Sequence, residues 1–153
     1  MTIPERLQAL LASEFAAVHT YTGIGERCKF WGYGKLATVF EAEAGEELGH
    51  ARDLCRRLEE LGVTPVVAAV GTPSAAVQDG VPGMLDANEQ AERTAVQKYS
   101  QCGQAAIEAQ DFVTLHLCEE HAVDEQNHLS WVLGQLQQIA QMGLDNYLSG
   151  QVG

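Results

Sequence analysis

The sequence predicts an all-α protein. It reads as a four-helix bundle made of two helical hairpins, with a long crossover between helices 2 and 3 and a short C-terminal fifth helix. Three observations predict this. Apolar residues recur at spacings of three and four along four long segments, which is the period of a helix with one buried face. The breaks inside each pair of segments are short, whereas the middle break is long. No stretch alternates apolar and polar residues for long enough to compete as a strand.

Each element has its own signals. Thr2-Ile3-Pro4-Glu5 reads as a capping box with proline in the first turn of helix 1. From there Leu7, Leu11, Glu14, Val18, Tyr21, Gly25 and Cys28 form one seam. The WGYG stretch at 31–34 ends it in a tight turn. Helix 2 is expected from Lys35 to Leu61, with Val39, Glu43, Glu47, His50, Leu54, Leu58 and Leu61 on one side. Residues 62–83 hold three of the four prolines and form the crossover; VTPVVAAV within it reads as loop. Helix 3 is expected from Met84 to Gln110. Asp111 caps helix 4, which runs to Met142, where Gly143 stops it. LDNYLSGQ then suits a short fifth helix. A chain of 153 residues suits one domain, residues 1–153.

Composition narrows the function. The net charge is −12 and the nine Lys and Arg are scattered, so no basic patch recommends a nucleic acid partner. No apolar run is long enough to span a bilayer, and MTIPERLQALL has neither the charged region nor the cleavage site of an export signal, so a cytoplasmic location with no membrane partner is expected. Cys28, Cys55, Cys102 and Cys118 lie far apart without a C-x-x-C pair, which suits reduced, partly buried thiols.

The seams repeat. Adding 78 carries Leu7 to Leu85, Glu14 to Glu92, Val18 to Val96, Tyr21 to Tyr99 and Gly25 to Gly103. The same offset carries Glu47 to Glu125, His50 to His128, Leu54 to Val132, Leu58 to Leu136 and Leu61 to Ile139. Two E-x-x-H units therefore occupy equivalent places. Glu14 and His50 each stand 18 residues from Gly32, and Glu92 and His128 each stand 18 from Gln110. At about 1.5 Å of rise per residue, each antiparallel hairpin sets a lone glutamate level with its E-x-x-H. Four carboxylates on apolar seams would repel at great cost without cations. Two divalent metals would cancel the charge. Glutamate and histidine at i and i+3 share one helix face, and mixed oxygen and nitrogen donors suit iron or manganese and tolerate zinc.

The same segments resemble the bacterioferritins, within the ferritin-like di-iron superfamily, over nearly the whole chain. LLASEF, Tyr21, WG at 31–32, EELGH, MLDANEQAE, DEQNHLSW and QMGLDNYL carry the resemblance. It implies a ferritin-like bundle with two iron ions per subunit: Glu47 and Glu125 bridging, Glu14 and Glu92 terminal, His50 and His128 binding one iron each. It implies iron storage and detoxification in a homo-oligomeric, 24-subunit shell, with a ferroxidase centre oxidising Fe(II) to Fe(III) by O2 or H2O2. In haem-binding members the second residue of the first E-x-x-H is a methionine ligand. Here it is Leu48, so haem is not expected unless a mixed shell includes a methionine-bearing sister subunit.

The neighbouring residues read as follows. Tyr21 and Tyr99 are expected to aim a hydroxyl at a carboxylate. As a functional alternative either is an electron donor, with Tyr21 the better candidate by resemblance. Trp131 reads as packing or redox. His19, His116 and His121 fall off the repeat and read as surface histidines. Glu43 and Glu46 suit an iron path or a solvated helix face. Three other functions compete. A rubrerythrin-like di-iron peroxidase or oxidase usually brings a C-x-x-C module, which is absent. A DNA-protecting mini-ferritin places its ligands between subunits, whereas all six here fit one bundle. A shell subunit with a dead centre is disfavoured by the intact ligand set.

Overall fold

The computed structural model describes residues 1–67, 77 and 79–153. Its helices are α1 (Ile3–Phe30), α2 (Gly34–Glu60), α3 (Val81–Glu108), α4 (Phe112–Met142) and α5 (Leu144–Ser149). Helix α1 packs on α2 and on α3, and α4 packs on α3 and on α2, so the four long helices close a ring. Among the described residues there is no strand. This is the four-helix bundle expected from the sequence, with its crossover and short fifth helix.

Helix ends follow local chemistry. The Thr2 hydroxyl accepts from the Glu5 amide at 3.3 Å, and the Glu5 carboxylate accepts from the Thr2 amide at 2.6 Å. Helix α1 closes through Gly32, whose φ of 86° favours glycine. The 78-residue offset carries Gly32 to Gln110, which takes a positive φ of 57° without being glycine. Asp111 then caps α4 by accepting from the Thr114 amide at 3.0 Å. Arg57, near the end of α2, donates to Asp111 and Thr114 at 2.9 Å each, so the end of α2 is tied to the start of α4.

Both ends of α2 and of α3 differ from expectation, their C-terminal ends falling one and two residues early. Helix α3 starts at Val81, because Pro82 falls in its first turn, where no amide donor is needed. Helix α2 begins one residue early, at Gly34. Residues 63–67 of the VTPVVAAV stretch have no regular structure, and the rest of that stretch lies outside the described residues. The Gln8 amide holds Val66 from both sides, donating to its carbonyl and accepting from its amide at 2.8 Å each. Gly143, at φ 82°, ends α4. Tyr147 of α5 is buried and donates to Gln135 at 2.8 Å, which folds the tail against the bundle.

The core is in two parts. One holds Ile24, Leu36, Phe40, Met84, Leu85, Val132 and Tyr147; the other holds Leu7, Leu11, Leu54, Leu58, Cys102 and Cys118. Each buried leucine stabilises the fold by about 1.5–3 kcal/mol relative to exposure. Between these parts lies a belt of buried polar side chains. The apolar clusters at either end are what hold those groups away from water. Cys28, Cys102 and Cys118 are buried thiols and Cys55 is partly buried.

Candidate metal centre

Each hairpin contributes one lone glutamate and one E-x-x-H to the belt, and the six side chains meet at one level. Glu14, Glu47, Glu92 and Glu125 are each 3% exposed or less, and His50 and His128 are nearly as buried. Their ligand atoms fall into two groups, Glu14–Glu47–His50–Glu125 and Glu47–Glu92–Glu125–His128, each with all its atoms within 4.8 Å of one another. Glu47 and Glu125 belong to both groups. The 78-residue shift turns one group into the other, so the repeat in sequence is a two-fold relation in space.

His50 Nδ1 lies 2.8 Å from Glu125, 3.0 Å from Glu47 and 3.8 Å from Glu14. His128 Nδ1 lies 3.1 Å from Glu47 and 3.6 Å from Glu92. Both rings turn Nδ1 inward. Both use Nε2 outward, His50 toward Asp124 at 2.9 Å and His128 toward Glu46 at 2.8 Å. Glu46 and Asp124 are themselves 78 apart, each directly before the glutamate of an E-x-x-H. An outer carboxylate on a ring fixes its tautomer and raises its basicity toward a metal on the other nitrogen.

The electrostatics favour proton binding on several of these groups. Burial resists charge on both imidazoles, but hydrogen bonds that the rings donate to carboxylates outweigh it and push His50 up to about 11 and His128 to about 12. Burial, with Glu47 and Glu125 nearby, raises Glu14 to about 10. Burial likewise raises Glu125 to about 9. Burial opposes ionisation of Glu47 too, yet donors from His128, His50 and Glu14 hold it well below the ordinary range. Even so, Glu47 Oε1, Glu92 Oε2, Glu125 Oε1 and His128 Nδ1 lack well-aligned hydrogen bonds. Buried oxygen and nitrogen atoms left in this state are costly unless a cation takes their lone pairs. The donor set therefore fits a pair of divalent ions.

The surrounding residues differ from expectation in several places. The tyrosine hydroxyls do reach carboxylates, but across the two-fold. Tyr21 donates to Glu92 at 2.7 Å, and Tyr99 donates to Glu14. His19 and His116 are exposed as expected. His121 is not a surface residue: it is 3% exposed, because it lies one turn before Glu125 on the same face of α4. Glu43 is not on a solvated face either. It is 4% exposed, accepts a long 3.5 Å bond from Asn88, and is raised to about 8, chiefly by burial. Glu46 is exposed but tethered to His128. Trp131 packs edge-on against Phe40, with ring centroids 5.8 Å apart.

Sequence reasoning missed Asn88, Asp124 and the role of Glu46. The repeat could have found the last two, and helix periodicity from Glu125 could have found His121. It also missed a groove of about 350 Å³ between α1 and α3. Glu14, Tyr21, Glu92 and Glu125 line it together with small residues such as Ala17 and Ala91. Lys98 of its lining donates to Ser13 at 2.7 Å, across the gap.

A four-helix bundle whose buried belt presents two carboxylate–histidine groups sharing two glutamates defines a class of metal-binding helical proteins. Comparison with known proteins gives the family. The ferritin-like domain matches residues 4–142, and the chain belongs to that family. It is 32% identical over 152 residues to a "Bacterial ferritin" of Pseudomonas aeruginosa, covering 95% of this chain and 94% of that protein. It is 32% identical over 155 residues to a "Bacterial ferritin" of Neisseria meningitidis serogroup B, covering 98% and 96%. It is 29% identical over 149 residues to a "Bacterioferritin" of Desulfovibrio desulfuricans, covering 97% and 82%. Within the family the chain is bacterioferritin-like. Among the described residues no helix is long and apolar enough to cross a membrane.

Proposed function

We propose that this chain is the subunit of an iron-storing shell and that its buried centre is a ferroxidase. One observation carries the reading: Glu47 and Glu125 belong to both ligand groups, so two cations bound there would share both carboxylates. Glu14 and His50 complete one position, and Glu92 and His128 the other. The whole chain, residues 1–153, acts as one domain.

Fe2+ is the substrate. Four carboxylates balance two Fe2+ ions in charge. As iron enters, His50 and His128 give up their Nδ1 protons, and Glu14 and Glu125 give up theirs. The outer bonds from Asp124 and Glu46 keep each ring aimed inward while this happens. Each Fe2+ gives one electron, so the pair reduces O2 to H2O2, or H2O2 to two waters, with two protons consumed in either case. The released protons lie where they are needed. Fe3+ carries more charge than the four carboxylates balance, so the product is less well matched to the site than Fe2+ and leaves as mineral. The groove between α1 and α3, whose lining includes Glu14, Glu92 and Glu125, gives a small oxidant a direct approach. Manganese or zinc could occupy the same donors without completing the reaction.

The shell is a homo-oligomer, of 24 subunits by analogy with the family. Leu48 offers no donor atom, so a shell of this chain alone carries no bis-methionine haem. Aerobic Fe2+ loading tests the reading. The expected result is a large shell holding far more than two irons per chain, with oxidation faster than in protein-free buffer. Iron uptake stopping at two per chain would exclude storage, and oxidation no faster than buffer would exclude the ferroxidase.

A further inference from the structure

His121 breaks the repeat beside the centre. Its counterpart under the 78-residue shift is Glu43. Its ring stacks on His50, with centroids 4.1 Å apart and planes 24° from parallel. Its Nδ1 lies 3.1 Å from the Tyr99 hydroxyl, and its Nε2 lies 3.1 Å from Asp53 on α2. Tyr99 in turn donates to Glu14. His121 therefore touches both residues that belong to only one of the two ligand groups, His50 by its ring face and Glu14 through Tyr99. Asp53 anchors it from the partly exposed side of the bundle.

The other group lacks this device. Among the described residues no ring stacks on His128, and Glu92 is reached by Tyr21 and a long bond from Asn88. A stacked ring limits the tilt of an imidazole plane, and an anchored hydroxyl limits the rotation of a carboxylate. Both limits matter most at a site whose ligands must hold one geometry for a metal.

We propose that His121 is a positioning residue for one metal position only, the one bounded by Glu14 and His50, and that Asp53 holds it there. This rests on the ferroxidase reading of the centre. The two positions of a nearly symmetric site are thereby made unequal, by a residue that binds neither metal.

Calorimetric titration of the metal-free shell with Zn2+ tests this without iron chemistry. Wild-type protein should take two equivalents per chain. His121→Ala should weaken one equivalent by about 10- to 100-fold and leave the other within about twofold, the usual scale for losing a group behind a metal ligand. Asp53→Ala, at a partly exposed position, should weaken the same equivalent by less. His121→Gln, which can still hydrogen bond to Tyr99, should recover part of the loss. Zinc anomalous peaks at half saturation should show the vacated position to be that of Glu14 and His50. Equal weakening of both equivalents, or two unchanged equivalents in both His121→Ala and Asp53→Ala, would overturn the proposal alone. A wild-type shell taking no zinc within the bundle would overturn the reading of the centre, and the proposal with it.

Discussion

The Glu14–His50 half and the Glu92–His128 half of the centre descend from one pattern but are finished differently. In both, a tyrosine from the other half holds the lone glutamate, and an acid from the opposite helix holds the outer nitrogen of the histidine. Beyond that layer the halves diverge. The first has an imidazole ring, His121, whose pKa is lowered chiefly by burial and by the nearby His50. The second has a carboxyl, Glu43, and an amide, Asn88. The repeat thus holds for the six clustered side chains, their tyrosines and their outer acids, and fails beyond them. Under the proposed reading, symmetry is needed where two like cations would share two bridges. Outside that layer each half is free to differ.

The comparison is broken most severely by removing what the halves share. Glu47→Ala or Glu125→Ala should abolish both metal positions together and slow initial Fe2+ oxidation by about 100-fold or more, since a ligand should matter at least as much as the groups behind it. The shell should still assemble, because both residues are buried inside one bundle. Stopped-flow absorbance and size-exclusion mass check this. Oxidation at the wild-type rate in both variants would rule out the shared-bridge reading. The next largest effect separates the halves. Glu14→Ala and Glu92→Ala should each lower metal content from two to one per chain and slow oxidation by roughly 10- to 100-fold. Loss of both metals in either single variant would show that the halves are not separable.

The sequence made the shared part legible, for a physical reason. A buried carboxylate or histidine on an apolar seam is conspicuous, and helix periodicity places it without any knowledge of the partner helix. Glu14, Glu47, His50, Glu92, Glu125 and His128 could be located by counting from the two turns. Gly32 announced its turn. Gln110, in an equivalent left-handed conformation, carries no such signal itself, and its turn is marked by the capping Asp111 that follows it. What the repeat could not reveal was each half's own outer layer. Setting His121 aside because it fell off the repeat used the wrong test. Its spacing from Glu125 put it on the buried face, whatever its counterpart. Glu43 was on the seam from the start, but nothing local distinguished a buried carboxyl from a solvated one. Its hydrogen-bond donor, Asn88, comes from another helix of the bundle.

A pH series asks whether the two halves release protons alike. Proton binding is favoured on His50 and His128, at about 11 and 12, and on Glu14 and Glu125, at about 10 and 9. All four values lie above neutrality, so metal must displace protons at pH 7. Affinity then rises as pH rises and falls as pH falls. If only the histidine proton is lost in each half, each equivalent weakens about tenfold per pH unit between pH 8 and pH 6, and more if carboxyl protons leave too. Zinc titrations in buffers of different ionisation enthalpy count the protons directly. Affinity independent of pH across that range would mean that these groups bind metal already deprotonated, contrary to the geometry around each Nδ1.

The smallest expected difference is between the two tyrosines, and it bears on the outer layers alone. Tyr21→Phe and Tyr99→Phe remove the same atom from equivalent places, and both rings are almost fully buried. Were the halves alike, the two losses of stability would match. They should not. Without Tyr21, Glu92 keeps its bond from Asn88, at 3.4 Å. Without Tyr99, Glu14 loses this donor and His121 Nδ1 loses its partner, so two buried polar groups lose a partner instead of one. A hydrogen bond contributes about 0.5–1.5 kcal/mol net, and leaving a buried group unpaired costs about 1–3 kcal/mol. Tyr99→Phe should therefore destabilise the metal-free protein by about 1 kcal/mol more than Tyr21→Phe. For a chain of this size that is a gap of about 2–4 °C in thermal midpoint, measured at one scan rate. Making the same pair of changes in His121→Ala, where no group is left to pair with the Tyr99 hydroxyl, should narrow the gap. An equal midpoint for the two phenylalanine variants would mean that His121 places no demand on Tyr99, and the asymmetry would then have to rest on the stacked His50 ring alone.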